Sequence, residues 1–262
     1  MVERVIFIKI VQVWVGADMP RFIIRCIESL NYYARLRGIE HVIISDKSRD
    51  PGLDGEYTFC NVPSSIVDEM SSMVFKYRAT EVDYMRYCIL RDSTEYMYYV
   101  DSDCYFIKDP FESHLVLRDV EFFSRESRRS DYVNNGIIGV PPHSKILKSI
   151  CEDSLEVIES NQGKVNKFLM IGPKFINEVL NKFDTKDYIR HTASWMYHSS
   201  WQLHFKAYDS YTHESSVLSI IKNLEFKDAI GTHFFKPHGT PIEVSELVVN
   251  KIIDKIEEVY PK

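Results

Sequence analysis

Glycine is scarce where phosphate chemistry would want it. Only 10 of the 262 residues are glycine, and the first apolar stretch runs into Val15-Gly16-Ala17-Asp18 rather than a glycine-rich, phosphate-cradling turn. There is no Cys-x-x-Cys pair. The five cysteines, Cys26, Cys60, Cys88, Cys104 and Cys151, are odd in number and scattered, which excludes zinc-ribbon and dithiol redox spacings and reads as a set of reduced core thiols. Positive charge is not in excess: 32 Lys and Arg stand against 38 Asp and Glu, a net charge of -6. That balance gives no general attraction to nucleic acid or to an anionic membrane surface, so a small molecule or a glycan is the expected partner. No apolar run reaches spanning length. Val5 to Val15 carries Lys9 and Gln12 and is too short for a bilayer, and no small-residue cleavage site follows it. A soluble, cytoplasmic chain with no membrane span is expected. Repeats, low-complexity tracts and linkers are also missing.

What is present is enough apolar residue, 45% hydrophobic and 13% aromatic, for one large α/β core. Val5 to Trp14 is rich in β-branched residues and reads as a central strand. Pro20 opens a helix on which Phe22, Cys26, Ile27, Leu30 and Tyr33 recur at three- and four-residue steps until Gly38. A strand follows from His41 to Ser45, then a polar loop from Asp46 to Gly55. Helices are predicted over Ser64 to Phe75, Ala79 to Arg91, Ser144 to Glu159, Pro173 to Asn181 and Ile242 to Val259. Further strands are predicted over Tyr96 to Val100, Val120 to Ser124 and Gly136 to Val140. The alternation predicts an α/β fold, a Rossmann-like, mostly parallel mixed sheet flanked by helices, with ligands above the carboxyl ends of the strands.

The strand Tyr96 to Val100 runs straight into Asp101-Ser102-Asp103. Two carboxylates one residue apart at a strand's end can point together at one hard divalent cation, Mn2+ or Mg2+, and at the oxygens of a diphosphate around it. An isolated acid-x-acid triplet is more often a solvated turn. The preceding helix adds Asp83 and Arg86 three residues apart on one face, a pair able to hold sugar hydroxyls, whose bland alternative is a surface ion pair worth a few tenths of a kcal/mol.

Two ordered blocks resemble glycosyltransferase family 32, the group of initiating mannosyltransferases and microbial capsule enzymes. The first is Gln12-Val13-Trp14-Val15-Gly16, then Met19-Pro20 and Cys26-Ile27-Glu28-Ser29. The second is Ala79-Thr80-Glu81-Val82-Asp83-Tyr84-Met85-Arg86-Tyr87, then Tyr98-Tyr99-Val100-Asp101-Ser102-Asp103, similar to that family's A-x-x-x-D-x-x-R-Y and Y-x-D-x-D signature. The pattern occurs more distantly in the glucosylating domains of large clostridial toxins. Together the blocks cover roughly the first two fifths of the chain. Departures are Ser93, Thr94 and Glu95 where paired glycines usually stand, and Val11 in place of a histidine.

The resemblance implies a GT-A fold in a single domain, with residues 1–125 as the nucleotide-sugar half and 126–262 as the acceptor half. It implies transfer of a hexose from a UDP- or GDP-linked donor to a glycan acceptor hydroxyl, with metal dependence and retention of the anomeric configuration. Trp14 would stack on the nucleobase, with Gln12, Val13, Tyr99 and Ser102 lining the donor site. Asp83 and Arg86 would hold the donor sugar, Asp103 would ligate the metal, and Asp101 would contact ribose, sugar or metal. Asn135, in Asn134-Asn135-Gly136, matches an Asn-containing family segment and would contact donor or acceptor, although an Asn-Gly pair is usually a turn. Gly172-Pro173 resembles a helix-opening pair with a structural role.

A further metal ligand is expected from the C-terminal half. His233, in Gly231-Thr232-His233-Phe234-Phe235-Lys236-Pro237, resembles the closing histidine segment of glycogenin-type enzymes, with Lys236 placed to meet the leaving diphosphate. His198, in His198-Ser199-Ser200-Trp201, is the rival. Arg125, Arg128 and Arg129 form a basic patch that would suit an anionic acceptor, or simply a solvated loop. Most tyrosines among Tyr32-Tyr33 and Tyr96 to Tyr99 are expected in the core. Three other readings compete: a sugar nucleotidyltransferase, which wants the missing glycine-rich loop; an Asp-based phosphatase, which Cys104-Tyr105 after the acids does not fit; and a carbohydrate-binding or inactive relative, which both acids argue against.

Overall fold

The computed structural model describes residues 8–16, 19–45, 57–75, 78–111, 122–126, 133–161, 171–191, 196–198, 231–234 and 242–262. Its centre is a seven-stranded mixed sheet. The strands are β1 (Ile8–Trp14), β2 (Glu40–Ser45), β3 (Thr58–Asn61), β4 (Tyr96–Val100), β6 (Phe122–Glu126), β7 (Val133–Val140) and β8 (Tyr188–His191), in the spatial order β3-β2-β1-β4-β7-β6-β8. β1, β2, β3 and β4 pair in parallel, as do β6 and β8, whereas β7 runs antiparallel to both its neighbours. A three-stranded sheet, β5 (Cys104–Phe106), β10 (Gly231–His233) and β9 (Met196–His198), stands beside the carboxyl end of β4.

The sequence explains the layering. β4 is buried at every position, as a strand covered on both faces must be. On helix α1 (Arg21–Leu36) the buried residues Phe22, Cys26, Ile27, Leu30 and Tyr33 form one apolar stripe, beginning after Pro20 at the N-cap. That stripe meets Val249, Ile252, Ile253 and Ile256 of α6 (Ile242–Val259) in one cluster and Tyr98, Val100 and Phe106 in another. On the other side, α3 (Arg78–Arg91), α4 (Lys145–Ser160) and α5 (Pro173–Leu180) share a core with α2 (Ser64–Ser71), built on Tyr84, Tyr87, Leu147, Ile150 and Ile176. Ser144 caps α4 by accepting from Leu147 N at 3.2 Å, and Pro173 stands at the first turn of α5, behind Gly172.

The predicted strand over Tyr96 to Val100 and the helix over Ile242 to Val259 match the observed bounds, and the other predicted elements overlap theirs. β3, β5, β8, β9 and β10 were not foreseen. Cys60 corrects the expectation of five core thiols: it lies exposed on the edge strand β3, while the other four are buried. Tyr33, Tyr96, Tyr98 and Tyr99 are core residues, and Tyr32 is exposed. The loop Asp46 to Gly55 and Lys236, Arg128, Arg129 and Trp201 lie outside the described residues. Among the described residues, no helix is long and apolar enough to cross a membrane.

Candidate active site

The acidic triplet leaves β4 in a turn fastened to β1, to β7 and to the residue after β10. Asp101 N donates to Gly136 O of β7 at 2.7 Å, and Asp101 O accepts from Cys104 N at 3.1 Å. Gln12 Nε2 of β1 donates to the same Asp101 carbonyl at 3.3 Å, and Phe234 N donates to Asp103 O at 2.9 Å. The side chain of Ser102, expected at the donor, points inward and donates to Val13 O at 3.0 Å, tying the turn to β1. Both carboxylates remain on the other side of the turn, partly exposed. β5, which follows the turn directly, and the much later β10 pair antiparallel and bring His233 to the acids: its Nε2 lies 3.0 Å from Asp103 Oδ1 and 3.6 Å from Asp101 Oδ2.

Behind the acids lies a buried polar network. Arg86 Nη1 donates to Asp101 Oδ1 at 2.9 Å and to Asn135 O at 2.8 Å, and Nη2 donates to Asp83 Oδ1. Asn135 Nδ2 donates to Asp83 Oδ1 at 3.1 Å and to the Tyr87 hydroxyl at 3.2 Å. The Tyr99 hydroxyl donates to Asp101 Oδ1 at 2.7 Å, and its ring centroid lies 4.8 Å from the Arg86 guanidinium carbon. The helix and strand spacings make this possible. Asp83 and Arg86 share one face of α3, while Tyr99 reaches Asp101 two residues on along the same face of β4.

Burial dominates the electrostatics. It pushes the Asp83 carboxyl up to about 6 despite Arg86, with the Asp101 charge adding to the rise. For Arg86, burial alone disfavours the cation, but Tyr99, Asp83 and Asp101 around it raise its pKa well above the usual value, so it stays charged. Its Nε is buried with no partner among the described residues, a cost of about 1 to 3 kcal/mol that a purely stabilising ion pair would not carry.

Gln12 is itself held. Its Oε1 lies 2.9 Å from His41 Nε2. Because Gln12 donates through Nε2, its carbonyl must accept from His41 Nε2–H. Burial lowers the His41 pKa to about 3, so the ring is neutral.

The structure therefore brings Gln12, Asp83, Arg86, Tyr99, Asp101, Asp103, Asn135 and His233 to one place. Trp14 ends β1 at the same edge, half-buried against the cluster of α1 and α6, and Gly16 follows with φ of 128°, a left-handed-side conformation that favours glycine as the chain turns away. Val13 is buried and contributes its carbonyl. His198, the rival histidine, sits on β9 in parallel register with His233 on β10. Sequence reasoning missed Tyr87, His41 and Cys104. Tyr87 stood inside the quoted A-x-x-x-D-x-x-R-Y block, so a signal for it existed; His41 carried none.

Asp103 Oδ1 lies in direct contact with His233 Nε2 and Asp101 Oδ2 stands 3.6 Å from it, and carboxylate oxygens with an imidazole nitrogen are donor types that suit Mn2+ or Mg2+. No protein-family model matches the chain, and no curated protein sequence matches it. Solved structures do. A glycosyltransferase involved in the glycosylation of the major capsid of PBCV-1 aligns over 93% of this chain and 98% of its own, with 16% identity and a TM-score of 0.52. The galactosyltransferase LgtC, solved with donor and acceptor sugar analogues, aligns over 97% of this chain and 96% of its own, with 10% identity and a TM-score of 0.52. At these identities the likeness speaks for the fold: the chain has the α/β, mostly parallel GT-A architecture.

Proposed function

We propose that the protein is a metal-dependent glycosyltransferase that moves a hexose from a UDP- or GDP-linked donor to a glycan hydroxyl. The observation that carries this reading is the convergence of Asp101, Asp103 and His233 at the carboxyl end of β4, backed by the buried Asp83–Arg86–Asn135 network. Asp103, His233 and the outer oxygen of Asp101 would hold Mn2+ or Mg2+, which supplies the positive charge a departing nucleoside diphosphate needs. Arg86 fixes the inner oxygen of Asp101 and so turns the outer one toward the site.

Asp83 accepts from Arg86 and Asn135 and is ionised above about pH 6, which leaves it an acceptor for a sugar hydroxyl at neutral pH. Trp14, at the end of β1, supplies a flat apolar surface for a nucleobase. Lys236 would meet the diphosphate, and the acceptor hydroxyl would attack from the leaving group's face, retaining the anomeric configuration. The test is donor hydrolysis with Mn2+ across UDP- and GDP-sugars. One donor should release its nucleoside diphosphate, and Asp103→Ala should abolish that release. Failure of every donor to bind or turn over, with or without metal, would sink the proposal. An inverted product anomer by proton NMR would remove the retaining mechanism alone.

A further inference from the structure

Cys104 has no part in the chemistry so far, yet its position is specific. In the antiparallel register of β5 and β10 it stands directly opposite His233, and directly opposed residues present their side chains on the same face. It follows Asp103 in the chain. Asp103, Cys104 and His233 each offer one donor atom, and the three atoms all lie within 4.8 Å of one another. A tetrahedral ion bound through sulfur, nitrogen and oxygen at ordinary metal–ligand distances separates its donors by roughly 3.3 to 3.8 Å. Small side-chain shifts would fit the present arrangement to one ion: the imidazole and the carboxylate, 3.0 Å apart, open slightly while the thiol draws in.

We propose that this chain's metal centre is a mixed nitrogen, oxygen and sulfur site that also takes a thiophilic divalent cation, zinc foremost, in competition with Mn2+ or Mg2+. The inference rests on the metal-site reading above and adds to it the soft donor. Oxygen and nitrogen donors alone leave selection to geometry and metal availability; a thiolate shifts preference toward zinc-type ions, which already outrank Mn2+ in affinity for a given site. On ligation the Cys104 Sγ–H bond breaks, its proton leaves to solvent, and an Sγ–metal bond forms, with no change in oxidation state. The two classes of ion exclude each other, since both need Asp103 and His233. Zinc held in the tetrahedral set offers the diphosphate a single open position, so it inhibits Mn2+-supported turnover.

The deciding experiment is Co2+ titration of the reduced, metal-free protein, followed by absorption. A near-ultraviolet thiolate-to-cobalt charge-transfer band should grow in, vanish on adding Zn2+, and be missing in Cys104→Ser. In that variant Zn2+ affinity should fall on the order of 10- to 100-fold, while Mn2+ affinity stays within about threefold. Cobalt ligand-field bands without the charge-transfer band would overturn the role of Cys104 and leave the metal site standing. No cobalt binding at all would overturn both. The environment of Cys26 also includes Asp103. Should Cys104→Ser fail to fold, a band that survives each of Cys26→Ser, Cys60→Ser, Cys88→Ser and Cys151→Ser, made singly, assigns the sulfur to Cys104, and one lost in any of them overturns the assignment.

Discussion

Helix α3 carries two arginine–carboxylate pairs of the same i, i+3 spacing, one turn apart, and they have little else in common. Arg78 and Glu81 pair at 2.7 Å with side chains 51% and 25% exposed. Asp83 and Arg86 pair with side chains 12% and 8% exposed, and Arg86 reaches on to Asp101 and Asn135. The first pair exchanges hydration for a contact of nearly equal free energy and is screened by salt. The second has given up hydration, so each partner depends on the others. Spacing on a helix thus marks which side chains can meet, whereas the neighbouring strand ends decide whether the meeting is structural decoration or a site.

Removing Arg86 breaks the contrast most sharply. Arg86→Ala should cost about 3 to 5 kcal/mol, because Asp83 is left buried and Asp101 loses its fixed orientation. Chemical denaturation reads the loss, and donor turnover should vanish with it. Asp103→Asn comes next: turnover should fall about 10²- to 10³-fold, while the denaturation midpoint barely moves because that side chain is partly exposed.

The pH dependence sharpens the comparison further. Asp83 has a folded pKa near 6, above the ordinary aspartate value of 3.8, so the folded state holds its proton more tightly, and stability falls as pH rises through about 4 to 6. His41, near 3 against 6.5, does the opposite: its contribution is present above about 6.5 and is lost as pH falls toward 3. The two slopes offset each other in the wild type between about pH 4 and 6. Asp83→Asn should expose the steeper His41 acid loss, a change on the order of 2 to 3 kcal/mol across that window by denaturant midpoints. An unchanged pH–stability profile would show that Asp83 does not titrate there. The smallest effect belongs to the exposed pair: Arg78→Ala should shift stability by less than about 0.5 kcal/mol and leave turnover unchanged.

Much of the scaffold was legible because its signals are local. Tyr96 to Val100 is a short continuous apolar run, and Ile242 to Val259 keeps a helical period throughout; both bounds match the structure. β3 escaped because Thr58–Asn61 is short and largely exposed, so it shows no alternation. β5 and β10 are three residues each, below the length at which periodicity exists. The site divides in the same way. Asp83, Arg86, Asp101 and Asp103 fall in compact blocks whose spacing carries meaning. The nearness of His233 to them depends on pairing between strands about half the chain apart, which no spacing encodes; it entered only through the look of its surrounding segment. His41 lay hidden because a single histidine beside apolar residues reads as core, which it also is.

The pairing of β10 between β5 and β9 has a consequence for biosynthesis. The acidic turn leaves the ribosome with β1, α1 and α3 already made, while Gly231–His233 follows much later. Until that strand arrives, Asp103 O lacks the Phe234 amide and both carboxylates lack their imidazole. Contacts of such sequence separation form late, after the loop between them has closed. A chain truncated before Gly231 therefore keeps every described strand of the large sheet but lacks both the imidazole and the amide that complete the acidic turn.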